Sequence, residues 1–310
     1  MKKGCVGCLT VVAMVCLALI GLFFYLAPRY GVTIVRPSPV QYAESALYRM
    51  HFGLYADEEF HKAEETVRGQ WSQMKRYEDT YPLLKDLAQK AGGKHSHFYT
   101  PEEVKVLRKR KSELPEVRRE GEFLLLTLPS FSGNEKQAAA YIDKIAGVIA
   151  QDVKGIIVDV RHNSGGRLDA MAAGFDVWLR DKTLFEIVYS EQQSSKVSLE
   201  NLREIKGTTK NRKEVPIAIL MSAETASSAE ILILALQQLP QVRTFGQATA
   251  GYTTSNMSYP MYDGAELVLS TGRIKDSTGR IYENHPLEPD VETQSPLEDA
   301  KQWLQEVAGN

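Results

Sequence analysis

Cysteine is almost missing from this chain. Its three copies, Cys5, Cys8 and Cys16, all precede residue 20 of 310, so everything downstream lacks both a disulfide framework and a thiol nucleophile. A basic surplus is missing too. The formal charge of −2 leaves nothing to neutralise a run of phosphates, which excludes nucleic acid as the main partner. Histidine occurs six times, with no HExxH pair and no third histidine near His95 and His97. Those two could sit as ligands on one face of a strand, but with so few donors nearby neither a metal centre nor a cofactor is expected. Repeats and low-complexity tracts are absent. What remains, 43% apolar and 25% charged, is a globular balance that affords a sizeable core.

Long apolar runs are confined to one place. Leu9 to Ala27, LTVVAMVCLALIGLFFYLA, carries no charge and is just long enough to cross a hydrocarbon core as a helix. A secretory signal has a shorter apolar region and a small-x-small cleavage site, which YLAPRYG does not offer. An uncleaved transmembrane anchor over residues 9–28 is therefore expected. Lys2 and Lys3 put residues 1–8 in the cytoplasm and the rest outside the cell, with Tyr25 and Tyr30 at the outer interface. AMVC ahead of Cys16 lacks the small residue of a lipoprotein signal, while Cys5 and Cys8 are placed for reversible acylation. The oligomeric state has no sequence signal.

Beyond the anchor, residues 29–40 contain Pro37 and Pro39 and form a stiff tether. QYAESALYRMHFGLYA, EEFHKAEETVRGQWSQMKRY and YPLLKDLAQKA carry apolar residues at helical spacing, which predicts a helical subdomain over residues 41–92. Its His51 and His61 read as helix-surface residues. Residues 93–121 connect to an α/β segment, 122–310. There EFLLLTLPSF, GIIVDV and VPIAILMS are strands, while EKQAAAYIDKIAGVIAQD, LDAMAAGFDVWLRD and SAEILILALQQL are helices. Alternation of this kind implies a layered α/β core whose strands aim their carboxyl ends, and the loops RHNSGG and SAETASS, at a common crevice.

Two serines, Ser227 and Ser228, precede the most apolar of those helices. Ser227 with Glu230 reads as the capping box S-x-x-E, which explains both residues structurally. A catalytic reading needs a base and an oxyanion site. The base candidates are His95, His97, His162 and His285. Gly165 and Gly166, in NSGG after a buried strand, let backbone amides approach a substrate, and the Ser228 amide at a helix start is a second donor.

Four segments in order, GGKHSHFYTPEE, GIIVDVRHNSGG, TASSAE and YENHPLEPDV, together resemble the S41 serine peptidases of the tail-specific and tricorn type. The resemblance covers about 200 residues and implies a crotonase/ClpP-like layered α/β fold. It implies Ser227 as nucleophile, His95 as base and Glu283 as its orienter, with Ser228, Gly165 and Gly166 at the oxyanion. Asn163, Arg167, Leu168, Tyr252, Thr253 and Asn256 are expected along the substrate.

The chain departs from the family in two respects. Tail-specific members place a lysine where this chain has Tyr252, and no lysine lies between Lys213 and Lys275. Too few residues separate YTPEE from FLLLTL for a PDZ module. A short, anchored member of this kind implies an extracellular endopeptidase acting on a lantibiotic-like peptide. A general C-terminal processing peptidase, or a non-catalytic peptide-binding scaffold on the same fold, are the alternatives.

Overall fold

The computed structural model describes residues 3–27, 35–109, 112–203 and 215–308, with side chains from Val11 onward. Tyr30, the first half of the expected tether (29–34) and the side chains of Cys5 and Cys8 lie outside the described residues. The chain divides into two compact units, 1–107 with 256–271, and 108–255 with 272–310.

In chain order the first unit opens with α1 (Lys3–Leu26), α2 (Pro39–Met50), α3 (Glu58–Arg68), α4 (Tyr81–Gly92), β1 (His97–Tyr99) and α5 (Pro101–Lys109). Strands β2 (Glu116–Glu120) and β3 (Phe123–Thr127), helix α6 (Glu135–Ile149) and strand β4 (Ile156–Asp159) follow. Next are α7 (Leu168–Ala173), α8 (Asp176–Leu179), β5 (Thr183–Ser190), β6 (Gln193–Ser198) and α9 (Leu199–Leu202). The last elements are β7 (Ile217–Met221), α10 (Ser228–Leu236), β8 (Val242–Gly246), β9 (Thr254–Pro260), β10 (Glu266–Lys275), β11 (Ile281–Tyr282), β12 (Val291–Glu292) and α11 (Pro296–Ala308).

The side chains of α1 from Val11 to Tyr25 are exposed on every face. Among the described residues, however, no helix is long and apolar enough to cross a membrane. The expected anchor finds no support there.

Helices α2 and α4 bury the same stripe. Ala43, Ala46, Leu47 and Met50 on α2, and Leu84, Leu87, Ala88 and Ala91 on α4, repeat at i, i+3, i+4, i+7, one face of a helix. With Phe60 and Phe98 they form a core that also takes in Met261, Ala265, Leu267 and Leu269. Residues 256–271, which sequence alone keeps in the α/β segment, therefore pack with the helices. The Tyr42 and Tyr81 hydroxyls donate to the Asp263 carboxylate at 3.0 and 2.5 Å, and β1 pairs antiparallel with the first half of β10.

The second unit is built on a six-stranded sheet in the order β12-β8-β7-β4-β3-β2. All neighbours are parallel except β2 and β3. Ile156 and Val158 of β4 and Ile217 and Ile219 of β7 face α6 and α10, while Ile157, Ala218 and Leu220 face α11. Covered on both sides, these strands read as unbroken apolar runs. The run LDAMAAGFDVWLRD, expected as one helix, is split into α7 and α8. A Cβ at Gly174 would lie 2.5 Å from Ile145 Cβ, and the chain turns there to pass α6.

Candidate active site

Strand β7 ends at Met221, and the five residues 222–226 deliver the chain to Ser227 at the head of α10. Ser227 adopts φ 55° and ψ −121°, a left-handed conformation that costs a non-glycine residue about 1–3 kcal/mol. It persists because the surroundings hold it. Residues 229–236 of α10 are all buried, which fixes the helix. The Glu230 carboxylate, with no exposure at all, accepts the Ser227 amide at 2.7 Å and the Gly251 and Tyr252 amides at 2.8 Å each, together with the Thr249 hydroxyl. Burial pushes this carboxyl above the usual range, and the four hydrogen bonds oppose the rise. The capping box is thus present through its glutamate, and it also fastens the loop 249–252 to the helix start.

The loop after β4 supports Ser227 from the other side. The Ala226 amide donates to the Asn163 carbonyl at 3.0 Å, and the Thr225 hydroxyl donates to the Val160 carbonyl at 2.8 Å. Gly165 has φ 101°, and a Cβ there would lie 2.8 Å from Ser227 Cβ and 3.1 Å from the Ser228 nitrogen. Only glycine fits this approach.

The oxyanion donors expected from sequence need one correction. The Gly165 amide is already donated to Asn163 Oδ1, at 2.9 Å, so it is not available. Among the described residues the Gly166 and Ser228 amides have no hydrogen-bond acceptor, and the Ser228 hydroxyl ties the two positions by donating to the Gly166 carbonyl at 2.7 Å. Two uncommitted donors therefore lie next to Ser227, at the positive end of α10. That is a set suited to stabilising a developing oxyanion.

Several expected substrate contacts prove to be structural. Asn163 is fully buried, and its amide nitrogen donates to the Leu128 and Pro129 carbonyls at 3.0 and 3.3 Å. Thr253 is buried, exchanging hydrogen bonds with the His285 backbone. The Arg167 guanidinium is spent on Asp169, Glu135 and the Gly133 carbonyl. Leu168 packs against the core. Tyr252 remains partly exposed beside Ser227's own support.

In the first unit, His95 lies between α4 and β1 and so is off the strand that carries His97. Asn256, expected at the substrate, instead holds the His95 backbone. Its amide nitrogen donates to the His95 carbonyl at 3.1 Å, and its oxygen accepts the Ser270 hydroxyl at 2.8 Å. The Ser270 amide in turn donates to Ser96 Oγ at 2.8 Å. Burial pushes the His95 imidazole down to about 4, and His97 and Lys94 push the same way, so it is neutral, and able to accept a proton, at physiological pH.

In the second unit, Glu283 accepts a charge-assisted hydrogen bond from Arg273. Its charge is thus shared with an arginine that sequence reasoning did not single out. Two residues on, the His285 ring engages the Glu283 carbonyl at 2.6 Å.

Residues 122–293 match the family model described as peptidase family S41. This chain belongs to peptidase family S41. As a member it is a serine peptidase, a hydrolase on a mixed-sheet α/β fold. It is 33% identical over 300 residues to the nisin-resistance protein of Lactococcus lactis subsp. lactis, covering 94% of each chain. A lipoprotein from Streptococcus agalactiae has a similar structure, with TM-score 0.83 and 34% identity over 89% of this S41 chain and 99% of that one. The photosystem II D1 C-terminal processing protease shares the fold at TM-score 0.54 and 14% identity, over 84% of this chain and 94% of that one.

Proposed function

We propose that this peptidase is a membrane-attached, extracellular Ser-His endopeptidase that cleaves the C-terminal tail of nisin or a related lantibiotic and so confers resistance. The observation that carries the catalytic part is Ser227 itself, held at positive φ beside two amides that, among the described residues, lack acceptors. His95 takes the Ser227 proton as Oγ attacks the scissile carbonyl. The Gly166 and Ser228 amides hold the oxyanion, and His95 returns the proton to the departing amine. Water then releases the acyl group by the same steps. Glu283, its charge shared with Arg273, orients the imidazole. The substrate rests on the similarity to the Lactococcus protein, and attachment rests on the apolar side chains exposed around α1.

The reading in which the fold only binds peptide draws on the Arg273–Glu283 pair, which engages the expected orienter. A fluorophosphonate probe separates the two. Labelling of the full chain in detergent, lost on Ser227→Ala, supports the peptidase; an unlabelled but peptide-binding chain refutes it.

Because His95 must be neutral to act, kcat/KM is expected to hold as pH is lowered past 6 and to fall only as it approaches about 4. An acid limb centred near 6.5 would instead mean that burial does not depress the imidazole of the working enzyme. The same depression has a stability counterpart. The unfolded chain takes up this proton near 6.5 and the folded one near 4, so stability is full above 6.5 and declines as pH falls between those values.

Attachment has its own test. A secreted form lacking α1 should hydrolyse peptide in solution yet protect cells poorly, because confinement at the membrane raises effective concentration by about a hundredfold or more. Equal protection at equal abundance would make the attachment incidental.

A further inference from the structure

His51, His61 and Glu64 converge in the helical unit, and none of them is among the residues assigned to peptide hydrolysis. His51 caps the C-terminal end of α2, and His61 and Glu64 lie three residues apart on α3, on one face of that helix. The His51 Nε2 atom is 2.9 and 3.0 Å from the two Glu64 oxygens, and His61 Nδ1 is 3.2 Å from Oε2. One donor atom from each of the three residues lies within 4.8 Å of the other two. Two imidazoles and a carboxylate form a donor set suited to a borderline divalent ion. With metal–ligand bonds of about 2.0–2.1 Å, tetrahedral ligand atoms stand roughly 3.3 Å apart, close to the two histidine–carboxylate separations already present.

The surroundings fit an ion as well. Glu64 is only 7% exposed, whereas the His51 and His61 side chains are 41% and 51% exposed, so an ion reaches the site from water and keeps a position for water. Arg68 donates to Glu64 Oε1 at 3.1 and 2.8 Å, which orients the carboxylate and leaves Oε2 as the oxygen within reach of both histidines. Glu44 offsets the arginine charge, accepting Arg68 at 2.5 Å and the Trp71 indole at 2.8 Å. Outer hydrogen bonds of this kind fix the ligand geometry of protein metal sites.

We propose that His51 Nε2, His61 Nδ1 and Glu64 Oε2 bind a divalent transition-metal ion, Zn²⁺ foremost, which clips α2 to α3 and takes no part in peptide hydrolysis. The sequence reading of these histidines as helix-surface residues, with no metal expected, misses the site because its ligands come from two helices whose approach only the fold brings about.

The test uses the full chain in detergent, freed of metal with EDTA and with Cys5, Cys8 and Cys16 alkylated so that thiols do not compete. Titration with ZnCl₂ in a calorimeter should show one ion per chain, and saturating Zn²⁺ should raise Tm by about 5 °C. His51→Gln and His61→Gln, at side chains exposed enough to spare the fold, should each weaken Zn²⁺ at least tenfold and remove the Tm rise. Peptide hydrolysis should be equal in EDTA and in Zn²⁺. No saturable binding, or binding undiminished in both variants, overturns the site. Hydrolysis abolished by EDTA overturns the structural role.

Discussion

Ser227→Ala is expected to leave a folded protein whose peptide hydrolysis is reduced by about 10,000-fold or more. The chemical loss is total at the nucleophile, and what survives is the background from oxyanion donors and binding. The structural loss is small. Ser227 lies partly exposed at the helix head, and the Glu230 carboxylate holds it through the backbone amide, which alanine retains. Alanine also keeps a Cβ at φ 55°, so the strain stays. Ser227→Gly should be equally inactive but more stable than Ser227→Ala by about 1 kcal/mol, because glycine adopts this conformation without penalty. Chromatographic assay of cleavage, with thermal unfolding of the three proteins, checks both statements. A Ser227→Ala protein that still turns over, beside an inactive Ser228→Ala, would move the nucleophile by one residue.

Glu230→Gln is expected to be far from conservative. Oε2 accepts the Ser227 and Tyr252 amides, and Oε1 accepts the Thr249 hydroxyl and the Gly251 amide. Whichever oxygen becomes an NH₂ group then confronts a backbone N–H, and at least one buried donor is left without an acceptor. The cost is about 2–4 kcal/mol, read as a fall of roughly 5–15 °C in Tm. The activity falls separately. The carboxylate sets where Ser227 and the neighbouring Ser228 amide stand, and misplacing an oxyanion donor costs about 100-fold or more in kcat. A Glu230→Gln protein with parental Tm and kcat would mean that the turn is held by something else.

The sheet of the second unit was legible because its strands are covered on both faces. GIIVDV and VPIAILMS announce themselves by apolar runs, and Ser227 with Glu230 by the S-x-x-E spacing. The family motifs added the rest of the candidate site. Polar partnerships were not legible, since Thr253, Arg167 and Asn256 carry no mark that distinguishes a substrate contact from a structural tie. One signal was overlooked. Asparagine commonly accepts the amide two residues on, so N-S-G already held the hint that Asn163 would consume the Gly165 donor and pass the role to Gly166. Arg273 left no comparable trace, and of the His51–His61–Glu64 cluster only the H-x-x-E spacing of His61 and Glu64 was local, since the fold alone brings His51 to them.

The core shared by residues 42–98 and 261–269 also sets a timetable. A ribosome adding about 5–20 residues per second completes the N-terminal helices long before it reaches Leu267 and Leu269, which lie some 160 residues beyond the end of the first helical stretch at residue 107. For roughly 10–30 s, those helices wait with Leu47, Leu84 and Leu87 facing a partner that does not yet exist. Most of the peptidase unit emerges during that wait, so the nascent helices stay incompletely covered until residues 261–269 arrive. A chain released before residue 271 would carry its first-made part unfinished, and degradation of such fragments should begin in the helices.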